Sequence, residues 1–303
     1  SKDSPFELEH LSIKVKYTDS FTIANLTFND LSVTVNFDLK PRNSDNEPKE
    51  YNISVSFTGT LNCLSVDVRY DSTTRILSGS ALAISSEVGL KQTLDCFVSP
   101  NKDQSLENDA ILSSLVDHKQ FGLNSLKFEI QLEKSNDSNT ITSCFLKSAS
   151  IDLSGNLSIP IFELNLKSLK VEYEKIIKND NDSPSDDIYS SARLNLIAIL
   201  SRLKSRAQIH IECNKKMTSL SESTSSTTTT TVKGEVIPLT RDSLTFQGFI
   251  DLFSWIIPNS TDKINNEITL LKSIQIKSAS IELTTETNQP WRITSAQCIV
   301  GEL

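Results

Sequence analysis

A twelve-residue stretch near the start of this chain, Phe6-Glu-Leu-Glu-His-Leu-Ser-Ile-Lys-Val-Lys-Tyr17, recurs without gaps as Phe162-Glu-Leu-Asn-Leu-Lys-Ser-Leu-Lys-Val-Glu-Tyr173, with seven of twelve positions identical. A proline lies just upstream of each copy, Pro5 and Pro160. Both copies end in alternation, Ile13, Val15 and Tyr17 in the first and Leu169, Val171 and Tyr173 in the second, with Lys and Glu between. A period of two places the apolar residues on one side of a strand and the charged ones on the other. Because the repeat recurs after about half the chain, it reads as a tandem duplication of a unit of roughly 150 residues. The expected halves are 1–158 and 159–303.

Looser forms of the same pattern run from Phe28 to Val35, Leu61 to Val68, Leu123 to Ile130 and Leu271 to Ile276. Lys147-Ser-Ala-Ser-Ile-Asp-Leu153 also returns as Lys277-Ser-Ala-Ser-Ile-Glu-Leu283, at a different spacing from the long repeat. Between these segments lie turns of Asn, Asp, Ser and Thr, residues that close tight turns by hydrogen-bonding their own backbone. Tyr70–Arg75, Ser135–Asn139 and Glu286–Pro290 read as hairpin connections. The expected fold is therefore mainly β, an antiparallel meander.

Two segments change period and predict amphipathic helices. Behind a Ser cap, residues 105–118 place Ile111, Leu112, Leu115 and Val116 on one stripe. Residues 242–257 do so more strongly, with Phe246, Phe249, Ile250, Phe253, Ile256 and Ile257 at helical spacing and a stop at Pro258. The segment Tyr189–Leu203 fits either period and leans to strand by its position. The tract 218–231, Ser, Thr and one Glu around a single Leu, has a linker's composition. Its packed alternative is a Thr-rich edge strand.

The residues exclude much chemistry. Average usage near 7% would supply about twenty glycines, and this chain has 8, none in a G-x-G, a phosphate loop or a G-x-S-x-G elbow. Its three histidines, at 10, 118 and 210, are too dispersed for a metal motif, and His210 and Cys213 have opposite strand parity. Five cysteines without a C-x-x-C fit neither a zinc site nor a disulfide framework, and most are expected to act as small buried hydrophobes. The acidic loop 179–187 lacks the glycine and glutamate of a calcium loop. A net charge of −8, with no cluster of Lys and Arg, argues against nucleic acid. No run approaches the roughly 20 apolar residues of a membrane span. Compartment stays open: the chain starts at Ser1 without an apolar leader, and its N-x-[ST] sequons are as frequent as its composition gives by chance.

No enzyme, cofactor or metal is expected. The leading expectation is a structural or interaction protein of tandem β units that associates with itself or with another protein. The alternative is a module holding a lipid or other apolar ligand between sheet and helix. Its candidate face is Phe246, Phe249, Phe253, Trp255 and Ile256 on the second helix, the one segment whose apolar residues exceed a single stripe. A third reading, a carbohydrate-binding surface, rests on Trp291 beside Pro290.

Overall fold

The computed structural model describes residues 9–23, 26–40, 51–61, 63–85, 121–134, 141–159, 163–178, 187–202, 205–219, 226–239, 244–253 and 274–301. These residues are almost wholly antiparallel β, and the expected mainly β fold is what they form. The chain divides into two compact units between Ile151 and Asp152.

In the first unit the strands are β1 (His10–Tyr17), β2 (Phe21–Ile23), β3 (Leu26–Leu39), β4 (Tyr51–Leu61), β5 (Leu64–Asp71), β6 (Ile76–Ala83), β7 (Phe121–Lys134) and the start of β8 (Ile141–Ile159). Their order is β1-β3-β4-β5-β6-β7-β8, with the short β2 also on β3. Sequence neighbours are spatial neighbours from β3 onward, as a meander requires. The expected turn at Tyr70–Arg75 is the hairpin between β5 and β6: Asp71 pairs with Ile76, and the Asp71 carboxylate accepts the backbone N–H of Thr73 at 2.7 Å and Thr74 at 3.2 Å. This Asp turn does the work that glycine performs in commoner hairpins, and Arg75 takes the left-handed position at φ 55°.

The second unit holds the end of β8, then β9 (Leu164–Lys178), β10 (Asp187–Arg202), β11 (Ser205–Ser219), β12 (Ser226–Pro238), β13 (Leu244–Thr245), helix α1 (Phe246–Phe253), β14 (Gln275–Glu286) and β15 (Arg292–Val300). The order is β8-β9-β10-β11-β12-β14, with β13 and β15 both on β14. Of the ambiguous segment Tyr189–Leu203, the described residues through Arg202 fall in strand β10, which pairs with β9 on one side and β11 on the other. The predicted turn at Glu286–Pro290 joins β14 to β15: Gln289 N–H donates to the Glu286 carbonyl at 2.9 Å, and Asn288 is left-handed at φ 61°.

Three expectations need correction or fall outside these residues. The Thr tract is no edge strand, because Thr229–Thr231 run inside β12 between β11 and β14. A β-branched residue suits a pleated ladder, and the hydroxyls find local partners: Thr231 Oγ1 meets Thr284 Oγ1 at 3.4 Å, and Thr287 Oγ1 accepts the Thr228 N–H at 2.7 Å. The second predicted helix is shorter than 242–257, since Leu244 and Thr245 pair with Ile276 and Gln275 as a strand before the helix starts. Thr245 then caps it, its Oγ1 accepting the Gly248 N–H at 3.1 Å. The first predicted helix, 105–118, and the hairpin at 135–139 lie outside the described residues, as do loop residues 179–186. Among the described residues no helix is long and apolar enough to cross a membrane.

Candidate functional site: an apolar sheet face in each unit

Paired residues of neighbouring strands point to the same side of a sheet, so the strand registers assign the paired side chains to one side or the other. In the first unit Ile13 pairs with Val35, Val35 with Val55 and Val55 with Tyr70, while Val15 leads through Val33 and Phe57 to Val68. The rows continue through Gly79 and Leu77 on β6 to Phe128 and Ile130 on β7. From β1 to β7 these rows carry no charged residue. On the other side the same strands turn out Lys14, Lys16, Thr34, Asn36, Ser54, Ser56, Asp67, Arg69, Ser78 and Glu129.

The second unit repeats the division. Leu169 pairs with Leu196 and Leu196 with Ile211; Val171 leads through Leu194 and Cys213 to Val232 and Leu283. Opposite them stand Lys170, Glu172, Arg193, Asn195, Glu212, Lys233 and Glu282. The repeated segments noted in the sequence thus do the same thing in each unit. Ile13, Val15 and Tyr17 of β1 lie on the apolar face, and so do Leu169, Val171 and Tyr173 of β9.

Only part of each apolar face is covered. In the second unit α1 lies over one end, where Leu200, Ala207, Leu244 and Leu252 are buried and Leu164, Ile209, Val236 and Phe249 pack against them. In the first unit Phe28, Leu31, Leu61, Leu64 and Ala81 are buried, with the Phe28 and Phe57 rings edge to face at 5.3 Å. Away from these cores the face is open. Val15 is 61% exposed and Ile13 48%, and Leu11, Tyr17, Tyr51 and Ile53 are exposed beside them; in the second unit Val171, Leu194, Met217, Ile281 and Ile293 are exposed. Some apolar residues lie on the polar side, among them the exposed Leu82, Ile176, Ile237 and Ile299 and the half-buried Ile197 and Ile199. A scattered hydrophobe is ordinary, but a contiguous patch beyond about 300–600 Å² marks a binding surface.

The candidate residues expected on the second helix fare differently. Phe246 and Phe249 are half-buried, and Phe249 belongs to the packed end just described. Phe253 ends the helix, and Trp255 and Ile256 lie outside the described residues. Where described, the helix fills one end of the face; the open aliphatic surface lies on the strands. The sequence carried that signal in its period-two runs, but a run alone does not say whether another layer covers it.

The polar side bears a depression of about 230 Å³ lined by Glu212, Asn214, Lys216, Thr229, Thr231, Lys233 and Glu282. Its charges alternate across the strands, Glu212 beside Lys233 beside Glu282, the pattern of a solvated face. On the first unit's polar side, Asp67 holds the Arg69 guanidinium above its ordinary range by hydrogen bond and charge, through contacts of 2.8 and 3.0 Å. Among the described residues no three His, Cys, Asp or Glu could hold a metal ion, and His210 and Cys213 point to opposite sides. The expectation of buried cysteines is corrected: Cys144 and Cys298 are exposed and Cys63 and Cys213 half-buried, all four as free thiols, with Cys96 outside the described residues. Trp291 is exposed just ahead of edge strand β15. Compared with known proteins, the chain matches no family model, no curated protein and no solved structure.

Proposed function

We propose that this chain is a non-enzymatic binding module for lipids or similar amphiphiles, whose alkyl chains lie along the open aliphatic face of each unit's sheet. The observation that carries the reading is the registered row Val171–Leu194–Cys213–Val232–Leu283, apolar across five strands and partly open to solvent. Covering one such side chain fully is worth about 1.5–3 kcal/mol, so leaving the face in water is costly. The occupant's chemistry follows from what the face offers. The backbone groups of these strands are used in the ladders, and over most of the surface nothing hydrogen-bonds outward. Protein interfaces are enriched in Trp, Arg and Tyr anchors; the row Val171–Leu194–Cys213–Val232–Leu283 holds none of them. A flexible alkyl chain needs no directional partner and fits such a surface.

Native mass spectrometry of the full chain, incubated with an eighteen-carbon lipid and desalted, tests the proposal. Retained adducts are expected, and they are lost when Val171, Leu194 and Ile281 are together replaced by Gln with strand content unchanged. A chain that retains no lipid, or a variant that retains it equally, contradicts the reading.

A second reading, self-association, is favoured by the edges. β1 and β15 each pair on one side only, and all eight residues of β1 are exposed. Neither strand carries a proline, one guard on an open edge, although β1 carries Lys14 and Lys16, another. Sedimentation across a concentration series separates the readings: edge pairing gives growing oligomers without lipid, and a constant monomer removes it.

A further inference from the structure

The second unit's apolar face changes character along its strands, and the change points to a headgroup position. Near α1 its rows are Leu, Ala, Ile and Val. Toward the far end the registered rows become Tyr173–Ala192–Lys215–Thr230–Thr285 and, one step on, Lys175–Ser190–Met217–Thr228. Lys215 is exposed, and Thr230 is its direct cross-strand neighbour, with Ser190 and Thr228 at the diagonals. Cross-strand neighbours have Cβ atoms about 4.5–5.5 Å apart and diagonals about 7–8 Å, so one small headgroup can reach the ammonium and a hydroxyl together.

The charge distribution decides the sign. From β9 to β12 and on β14 every described carboxylate with a fixed register, including Glu172, Glu174, Glu212, Glu235, Glu282 and Glu286, lies on the polar side. Among the described residues the registered charged positions on the apolar side are all basic, Lys175, Arg202 and Lys215, in a chain whose net charge is −8. Among the described residues Lys215 has no ion-pair or hydrogen-bond partner. A lone ammonium at the rim of an aliphatic surface favours an amphiphile with a negative head and a long tail.

We infer that Lys215, with the Thr230 hydroxyl beside it, receives the anionic headgroup of a lipid whose tail runs toward α1 over Leu194, Leu196 and Ile211. This rests on the lipid-binding reading and adds the headgroup class and the direction of the chain.

Titration of the full chain with oleate and with monooleoylglycerol at pH 8, which share a tail and differ in charge, tests it. Oleate is expected to bind about two- to five-fold more tightly, the range of an exposed charge contact, with the gap closing as salt is raised. Lys215→Gln should abolish the preference by weakening oleate binding, and Lys215→Arg should keep it. Acetate should neither bind detectably nor displace oleate, which separates a lipid headgroup from a free anion. Equal binding of the two lipids by the native chain, or a preference that survives Lys215→Gln, overturns the headgroup assignment alone. Failure to bind either lipid overturns the lipid-binding reading as well.

Discussion

Gly79 and Phe128 stand opposite each other on the apolar face of β6 and β7, and a Cβ at position 79 would sit 2.3 Å from the Phe128 ring. The glycine is required by a close approach, the ring covering backbone that a side chain would otherwise occupy. Gly79→Ala must therefore push the ring aside, with an expected cost of about 1–3 kcal/mol. Urea unfolding measures it, and pairing the change with Phe128→Leu should recover part of the loss. At the other covered end, Leu200 is 1% exposed and packs on Ala207, Leu244 and Leu252. Truncation there leaves a void, so Leu200→Ala is expected to cost about 2–5 kcal/mol. Thr245→Ala removes the cap of α1, at about 1 kcal/mol; faster amide exchange in the helix, with the strands unaffected, would show the loss to be local.

At the scale of elements, the Thr-rich strand gives the sharpest test. If β12 is an inner strand, proline at Thr230 must disturb a ladder shared with Lys215 on β11 and Thr285 on β14, and a central strand does not accept that residue. Thr230→Pro is expected to lower stability by about 3 kcal/mol or more, read as loss of strand signal on heating; a neutral result would return the tract to the status of a linker. Much of this was legible beforehand. Alternation named the strands around Ile13 and Val171, and the Asp and Asn turns at Asp71 and Asn288 announced hairpins. Composition misled at the Thr tract, because Ser and Thr are common to linkers and strands and only the neighbours at Lys215 and Thr285 distinguish the two. The helix before Pro258 was legible in its apolar spacing. Its role was not, since sequence alone cannot show that Leu252 and Phe249 close one end of a face whose remainder stays open.

For the whole molecule, both units obey one rule: alternate side chains make an aliphatic side and a polar side, and only one end of the aliphatic side is packed. The aligned positions Ile13, Val15, Tyr17 and Leu169, Val171, Tyr173 each lie on the aliphatic face of their own unit. In the second unit the described carboxylates of fixed register lie on the polar side, where Lys and Arg alternate with them, and none lies on the aliphatic side. The most direct test places an environment-sensitive fluorophore on a single cysteine at Leu194 or at the adjacent Asn195, in a chain whose five native cysteines are replaced by serine or alanine. These neighbours lie on opposite faces of β10. On adding oleate, the account predicts a blue shift at position 194 and none at 195. Equal shifts, or none at 194, would contradict it.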